Sequence, residues 1–168
     1  MACYARYYTC IDSPVGRLLL TANDTAITGL YMENDPHGPV GVPEGALHDA
    51  ARFTSLQNQL DDYFAGRLFE FDIELDLVGT PFQRSVWQAL RELSYGQTIS
   101  YGELARRIGN PNAVRAVALA NGRNPVAIVV PCHRVIGANG SLTGYSGGLE
   151  NKRRLLLLEA AGIPALLA

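Results

Sequence analysis

Cysteine is scarce in this chain. Cys3, Cys10 and Cys132 make an odd number, at spacings that build no disulfide framework. That excludes a disulfide-stapled secreted scaffold and fits a reducing compartment. Long apolar runs are missing as well: no stretch reaches the roughly 18 residues that a membrane helix needs. The first ten residues, Met1 to Cys10, are polar and tyrosine-rich, without the basic start and apolar core of an export signal. A cytoplasmic protein that makes no membrane contact is expected.

Basic residues are rare in the first half and acidic ones in the second. Residues 1–79 hold four arginines against twelve acids, a charge of −8, whereas residues 80–168 hold ten Lys and Arg against four acids, +6. The small overall charge of −2 thus hides a polarity, and a basic half on a mildly acidic protein points to a polyanion bound on one face. At 168 residues the chain can bury one large core or two small ones.

Two regions are legible. From Tyr7 to Tyr31, β-branched and apolar residues are punctuated by Asp12-Ser13-Pro14 with Gly16 and by Asn23-Asp24, the pattern of short strands and turns. Met32 to Gly45 is a Pro- and Gly-rich loop. Helical periodicity is expected from Ala46, with Leu47, Ala51, Phe53, Leu56, Leu60 and Phe64 on one face and Ala65-Gly66 as the stop. Phe69 to Leu77 alternates apolar residues with Glu and Asp, the period of a half-exposed strand. These make an α+β N-terminal domain, residues 1–79, that reads as architectural.

The second domain, residues 80–168, reads as mostly helical. Thr80-Pro81-Phe82-Gln83 is a helix start with a Thr cap, Pro at the first position and Gln closing a capping box. Phe82, Val86, Leu90 and Leu93 form its inner stripe, with Trp87 as a core aromatic. Ser100 and Glu103 make a second capping box, with Leu104 and Ile108 facing inward. Gly109-Asn110-Pro111 ends that helix, and a third is expected with Asn110 as its cap and Pro111 at its first position. Helix, short turn, helix is the helix-turn-helix plan. Val114, Ala116, Val117, Ala118 and Ala120 give the third helix a smooth face, with Arg115 as its one finger. Base reading in a major groove asks for several long polar side chains; a smooth face with one arginine suits shape reading and filling a gap in the base stack.

The chemistry sits in Pro131-Cys132-His133-Arg134-Val135, after an apolar run, Val126 to Val130, that reads as a buried strand. A thiol and an imidazole side by side are a nucleophile and its base, because a cysteine of ordinary pKa is mostly protonated at neutral pH. A structural cysteine beside a core histidine is the alternative reading of that pair alone. Glu159, an acid next to four leucines, is either a surface residue or a buried carboxylate with a partner.

From Ile99 to Glu159 the chain resembles the O6-alkylguanine-DNA alkyltransferase family. The resemblance is carried by Ile99-Ser100-Tyr101, Gly109-Asn110-Pro111, Arg115-Ala116-Val117, Asn124-Pro125, Pro131 to Ile136 and Tyr145-Ser146-Gly147-Gly148, in that order. Asp12 to Gly16 and Tyr63-Phe64 extend it weakly into the first domain, for which it implies a ribonuclease H-like shape without nuclease activity.

The resemblance implies direct-reversal DNA repair: one irreversible transfer of an alkyl group from O6-alkylguanine, and also O4-methylthymine, to Cys132. His133 would draw off the thiol proton, Glu159 would orient the imidazole, and Asn124 would bond to backbone on both sides of the active-site loop. The recognition helix would enter the minor groove of double-stranded DNA. Arg115 would replace the extruded nucleotide, Ala116 would lie at the groove, and Tyr101 would help rotate the target phosphate and donate to the leaving base. Tyr145, Ser146, Gly147 and Val135 would wall the guanine pocket. No cofactor is implied. Some relatives carry an N-terminal zinc site, but Cys3, Cys10, His37 and His48 do not fall where its ligands should, and no metal is expected. Two departures, Ala118 where many relatives have glycine and Val114 where alanine is more usual, predict a wider stand-off from the groove. A monomer in solution is expected, with alignment of several copies on DNA left open.

Two other classes compete. A cysteine hydrolase using the same pair predicts turnover on esters or amides and an oxyanion site that the sequence does not display. A non-catalytic binder of alkylated DNA predicts no cysteine where Cys132 stands.

Overall fold

The structure, a computed structural model, describes residues 5–167, so Cys3 lies outside it. Strands β1 (Tyr7–Ile11), β2 (Leu18–Ala22) and β3 (Ile27–Met32) form an antiparallel meander, and β4 (Leu47–His48) adds to β1 in parallel, giving the order β3-β2-β1-β4. Both tight turns fall where turn residues stand. Ser13 Oγ donates to the Gly16 carbonyl with Gly16 at φ +97°, and Asn23 Oδ1 accepts from the Thr25 and Ala26 amides.

Three expectations, two for this half and one for the segment it pairs with, need correction. The helix expected from Ala46 begins only at Thr54: Leu47, 61% exposed, lies in edge strand β4, and a 3-10 turn (Ala50–Phe53) leads into α1 (Thr54–Phe64). Phe53, Leu56 and Leu60 are buried as their spacing predicts, but Tyr63 rather than Phe64 completes the face. Phe69 to Leu77 keeps its in-out alternation yet makes only one bridge, Leu75 to Ile27. The free edge of β3 is shared, because Leu30 of the same strand pairs with Val126.

That second bridge corrects the third expectation. Val126 to Val130 is not a strand. Leu30 N–H donates to the Pro125 carbonyl and Ala127 N–H to the Leu30 carbonyl. The chain then coils on itself, with Val130 N–H donating to the Val126 carbonyl and Ile128 held at φ +72°. A run buried on all sides looks the same in sequence whether extended or coiled. The N-terminal sheet therefore grips the segment that leads straight into Cys132.

The remainder is helical. Helix α2 (Pro81–Arg91) carries the complete Thr80–Gln83 capping box, with Trp87 buried and its Nε1–H donating to the Ala120 carbonyl at 2.8 Å. Helix α3 (Tyr101–Arg107) has Ser100 as its cap, but Glu103 turns to Arg106 and Arg107, so the box is half formed. Helix α4 (Val114–Gly122) begins later than expected. Asn110 to Ala113 close a turn by Ala113 N–H to the Asn110 carbonyl, which puts Pro111 in that turn and leaves Ala113 as an N-cap without a side-chain bond. Strands β5 (Ile99–Ser100) and β6 (Val135–Ile136) pair in parallel around a 3-10 turn, Cys132–Arg134, and α5 (Leu149–Leu167) closes the fold. One continuous core runs through both halves, from Leu20 and Leu60 to Leu90, Val130 and Leu155. No helix among the described residues is long and apolar enough to cross a membrane.

Thr80→Ala removes one partner of the capping box and is expected to cost about 1 kcal/mol, read as a lower urea midpoint with an unchanged slope.

Candidate active site

The turn that presents Cys132 is held from inside. Asn124, 6% exposed, donates Nδ2–H to the Val130 carbonyl at 2.7 Å and accepts the Val126 amide at 3.0 Å, so one side chain clamps both ends of the coil. Asn121, near the end of α4, donates to the Cys132 carbonyl at 3.4 Å. Cys132 is 5% exposed. Burial pushes its thiol up to about 11, against the opposing influence of Asn124 and of the Lys152 charge. The resting sulfur is a thiol.

Its neighbour is set to receive a proton. His133 is wholly buried, with Nε2 at 2.7 Å from Glu159 Oε1. Burial holds the imidazole below its ordinary pKa, so it rests neutral. Nε2 then carries the hydrogen, donated to the carboxylate, and Nδ1 is left as an acceptor. Nδ1 is buried and has no hydrogen-bond partner among the described residues.

Glu159 is 1% exposed and is surrounded by donors. Arg134 donates Nε–H to Oε2 and Nη2–H to Oε1, both at 2.9 Å; Tyr63 Oη–H donates to Oε1 at 2.8 Å; and the Gly96 amide reaches Oε2 at 3.1 Å. Burial pushes this carboxyl up, but the hydrogen bonds and charges of His133 and Arg134 outweigh it and hold the pKa at about 2. Glu159 is the buried carboxylate, not the surface acid.

A pocket of about 500 Å³ lies between α4 and the 143–146 loop; the 131–135 turn does not line it, but Asn121 and Tyr145 on its wall both reach Cys132. The start and inner face of α4 (Val114, Arg115, Ala118, Asn121), Tyr101 and the 143–146 loop line it, and Pro36 and His37 reach in from the loop after β3. Tyr145 has a buried hydroxyl without a partner among the described residues, its pKa raised by burial and by Cys132 beside it. Ser146 Oγ donates to the Gly122 carbonyl, tying the loop to the end of α4. Gly147 backs onto Met32, whose thioether occupies the space of any added Cβ. Val135 is wholly buried in β6 and offers a carbonyl rather than a side-chain wall. Arg115 and Ala116 are exposed on α4. A larger cavity, about 620 Å³, opens under residues 33–42 beside Cys10, and Cys132 lines neither space. Among the described residues, no cluster of three or more His, Cys, Asp and Glu is placed to hold a metal.

Several residues of the site escaped the sequence reading. Lys152, the chain's one lysine, is 0% exposed. Its ammonium donates to the carbonyls of Val135 at 2.6 Å, Thr143 at 3.1 Å and Gly144 at 3.4 Å, and lies 3.5 Å from Tyr101 Oη. Burial brings its pKa down to about 8. Tyr101 donates its hydroxyl to the Thr143 carbonyl at 2.9 Å. Arg134, Tyr63 and Asn121 also went unassigned. A signal existed only for Arg134, as the charged residue inside an otherwise apolar turn.

A buried thiol, an imidazole on a carboxylate and a pocket bounded by a helix-turn-helix define a DNA-binding protein that carries its own nucleophile. The comparisons give that class its family. Residues 6–77 match the model of the 6-O-methylguanine DNA methyltransferase ribonuclease-like domain, and residues 81–161 match the DNA binding domain of the same proteins. The chain is 54% identical to the methylated-DNA–protein-cysteine methyltransferase of Mycolicibacterium paratuberculosis, over 94% of both chains. It is 50% identical to the enzyme of that name from Methanosarcina acetivorans, over 92% of this chain and 99% of the other. A solved structure of Mycobacterium tuberculosis OGT in complex with DNA superposes with a TM-score of 0.89 at 52% identity, covering 95% of this chain and 96% of that one. The chain belongs to the 6-O-methylguanine DNA methyltransferase family.

With the thiol raised to about 11, about one molecule in ten thousand carries thiolate at pH 7. Iodoacetamide labelling of Cys132, followed by peptide mass, is expected to rise about tenfold per pH unit from 7 to 9.5 without a plateau. The lowered pKa of Glu159 adds stability that is full above about 4.5 and is lost as pH falls towards about 2. The stability gap between wild type and Glu159→Gln, from urea unfolding, is therefore expected to narrow between pH 5 and pH 2.

Proposed function

We propose that this protein repairs alkylated DNA by direct reversal, with Cys132 taking the alkyl group from O6-alkylguanine in a single irreversible event. Family membership supports the reaction class. The observation that carries the assignment to residues is the buried Cys132 next in the chain to the buried His133–Glu159 pair, with Asn121, which bonds to the Cys132 carbonyl, on the wall of the pocket edged by α4.

The sulfur attacks the alkyl carbon in line with its bond to O6. The S–C bond forms, the C–O6 bond breaks, and the electron pair leaves on guanine. The thiol proton passes to His133 Nδ1 as the alkyl group arrives, and Glu159, already ionised, stabilises the imidazolium that results. Tyr101 supplies a hydrogen bond to the departing base by releasing the Thr143 carbonyl. Lys152 already donates to that carbonyl and keeps it satisfied. The product is a thioether, which has no ready hydrolysis route, so each molecule reacts once.

The target base must leave the stack, since a thiol 5% exposed cannot reach a stacked guanine. Entry of α4 into the minor groove, with Arg115 in the vacated place, suits its small-residue face. Val114, 38% exposed, and Ala118 on the pocket wall set the stand-off. O4-methylthymine is a second substrate, and the protein works as a cytoplasmic monomer without metal or cofactor. The division near residue 79 separates the sheet domain from the half that touches DNA.

Incubation with a duplex carrying one O6-methylguanine is expected to add about 14 Da, S–H becoming S–CH3, once per molecule, and nothing to Cys132→Ser. Retained duplex without any mass change would favour a lesion binder, and repeated turnover of esters a hydrolase. Arg115→Ala is expected to lower the transfer rate on duplex DNA by at least tenfold while sparing the free base O6-benzylguanine.

A further inference from the structure

Tyr63 stands at the end of α1, in the sheet half of the chain, 96 residues from the carboxylate it touches. It is 1% exposed. A buried phenol needs an acceptor, and a backbone carbonyl would serve. Here the acceptor is Glu159 Oε1, the same oxygen that receives His133 Nε2 at 2.7 Å and Arg134 Nη2 at 2.9 Å. The ring has no freedom to swing away: Phe64 and Phe71 lie at 5.4 Å between centroids and Tyr95 at 6.1 Å.

We propose that Tyr63 is a positioning residue for alkyl transfer, through which the N-terminal domain takes part in the proton handling of the active site. This rests on the transfer reaction proposed above. Three donors converge on Oε1, and their directions leave the carboxylate one orientation. His133 Nε2–H has to find that oxygen for Nδ1 to be the free acceptor. Tyr63 moves no proton. The proton goes from Cys132 sulfur to His133 Nδ1, Nε2–H stays on Glu159, and the hydroxyl supports the carboxylate charge throughout.

The charged and titratable groups facing Glu159 are His133 and Arg134 from the active-site turn, Tyr63 from α1 and Tyr95 from the segment after α2, with the Gly96 amide beside them. The Lys152 charge also acts on the imidazole, lowering its pKa. Removing the Tyr63 donor leaves the carboxylate charge less satisfied, so the His133–Glu159 pair binds a proton more tightly.

Single-turnover transfer from an O6-methylguanine duplex, measured from pH 5 to 9, tests this. Tyr63→Phe is expected to lower the rate at pH 7 about tenfold and to move the acid limb of the profile to higher pH. In a Glu159→Gln background the same change is expected to cost less than twofold, since it acts through the carboxylate. 3-Fluorotyrosine incorporated at position 63 keeps the ring in its packing and makes the hydroxyl a stronger donor; the acid limb is expected to move the opposite way, to lower pH. That arm also decides the matter if the phenylalanine variant does not fold. A loss of rate that only follows thermal stability, with the limb unmoved in both variants, overturns the inference alone. A wild-type chain that takes no methyl group overturns the functional reading and the inference with it.

Discussion

A carboxylate shut away from water stays ionised only when its partners replace the hydration it has lost. Glu159 meets that condition with donors from three places: His133 and Arg134 in the 132–134 turn, Tyr63 in α1 and the Gly96 amide after α2. Because the donors arrive from separate segments, this ion can sit in one place only when the sheet half, α2, the turn and α5 are all in register. The proposed catalytic residues and the packing of the two halves are therefore one arrangement. The Arg134 charge neutralises Glu159, which lets His133 remain neutral and ready to accept.

Lys152 plays the same part on the other flank. Its ammonium gathers three carbonyls from β6 and the 143–144 loop, holding the pocket wall against the strand that follows Cys132. Two buried ions of opposite sign thus hold the residues that follow Cys132, Glu159 at His133 and Lys152 at Val135. Neither is in contact with the sulfur's position by default of sequence: each is placed by α5, where Lys152 and Glu159 stand seven residues, two helical turns, apart. Burial keeps the Cys132 thiol protonated at rest.

Local chemistry was readable where it acts over three or four residues. The Thr80 and Ser100 caps, the turns at Ser13 and Asn23, and Trp87 in the core need no distant partner to be inferred. The misplaced elements are those whose state is set by neighbours far along the chain. Val126 to Val130 coils rather than extends because β3 offers it a single place to pair. Phe69 to Leu77 stays a lone extended segment because the same edge is divided. The start of α4 slipped from Pro111 to Val114 because a turn and a helix start draw on the same residues, Asn and Pro.

By itself the sequence determined the family resemblance that implies the reaction class, carried by ordered motifs from Ile99 to Glu159, since the Cys132-His133 pair alone leaves a structural pair or a hydrolase open; it also determined the charge polarity that points one half at a polyanion. Only the tertiary structure decided which ionisable groups are buried. The sequence leaves Glu159 open between surface and interior and names no partner for Lys152 or Arg134, until the acceptors and donors around them, up to 96 residues away, are brought within 3 Å. Burial of a charge depends on partners in space, and sequence order does not carry that distance.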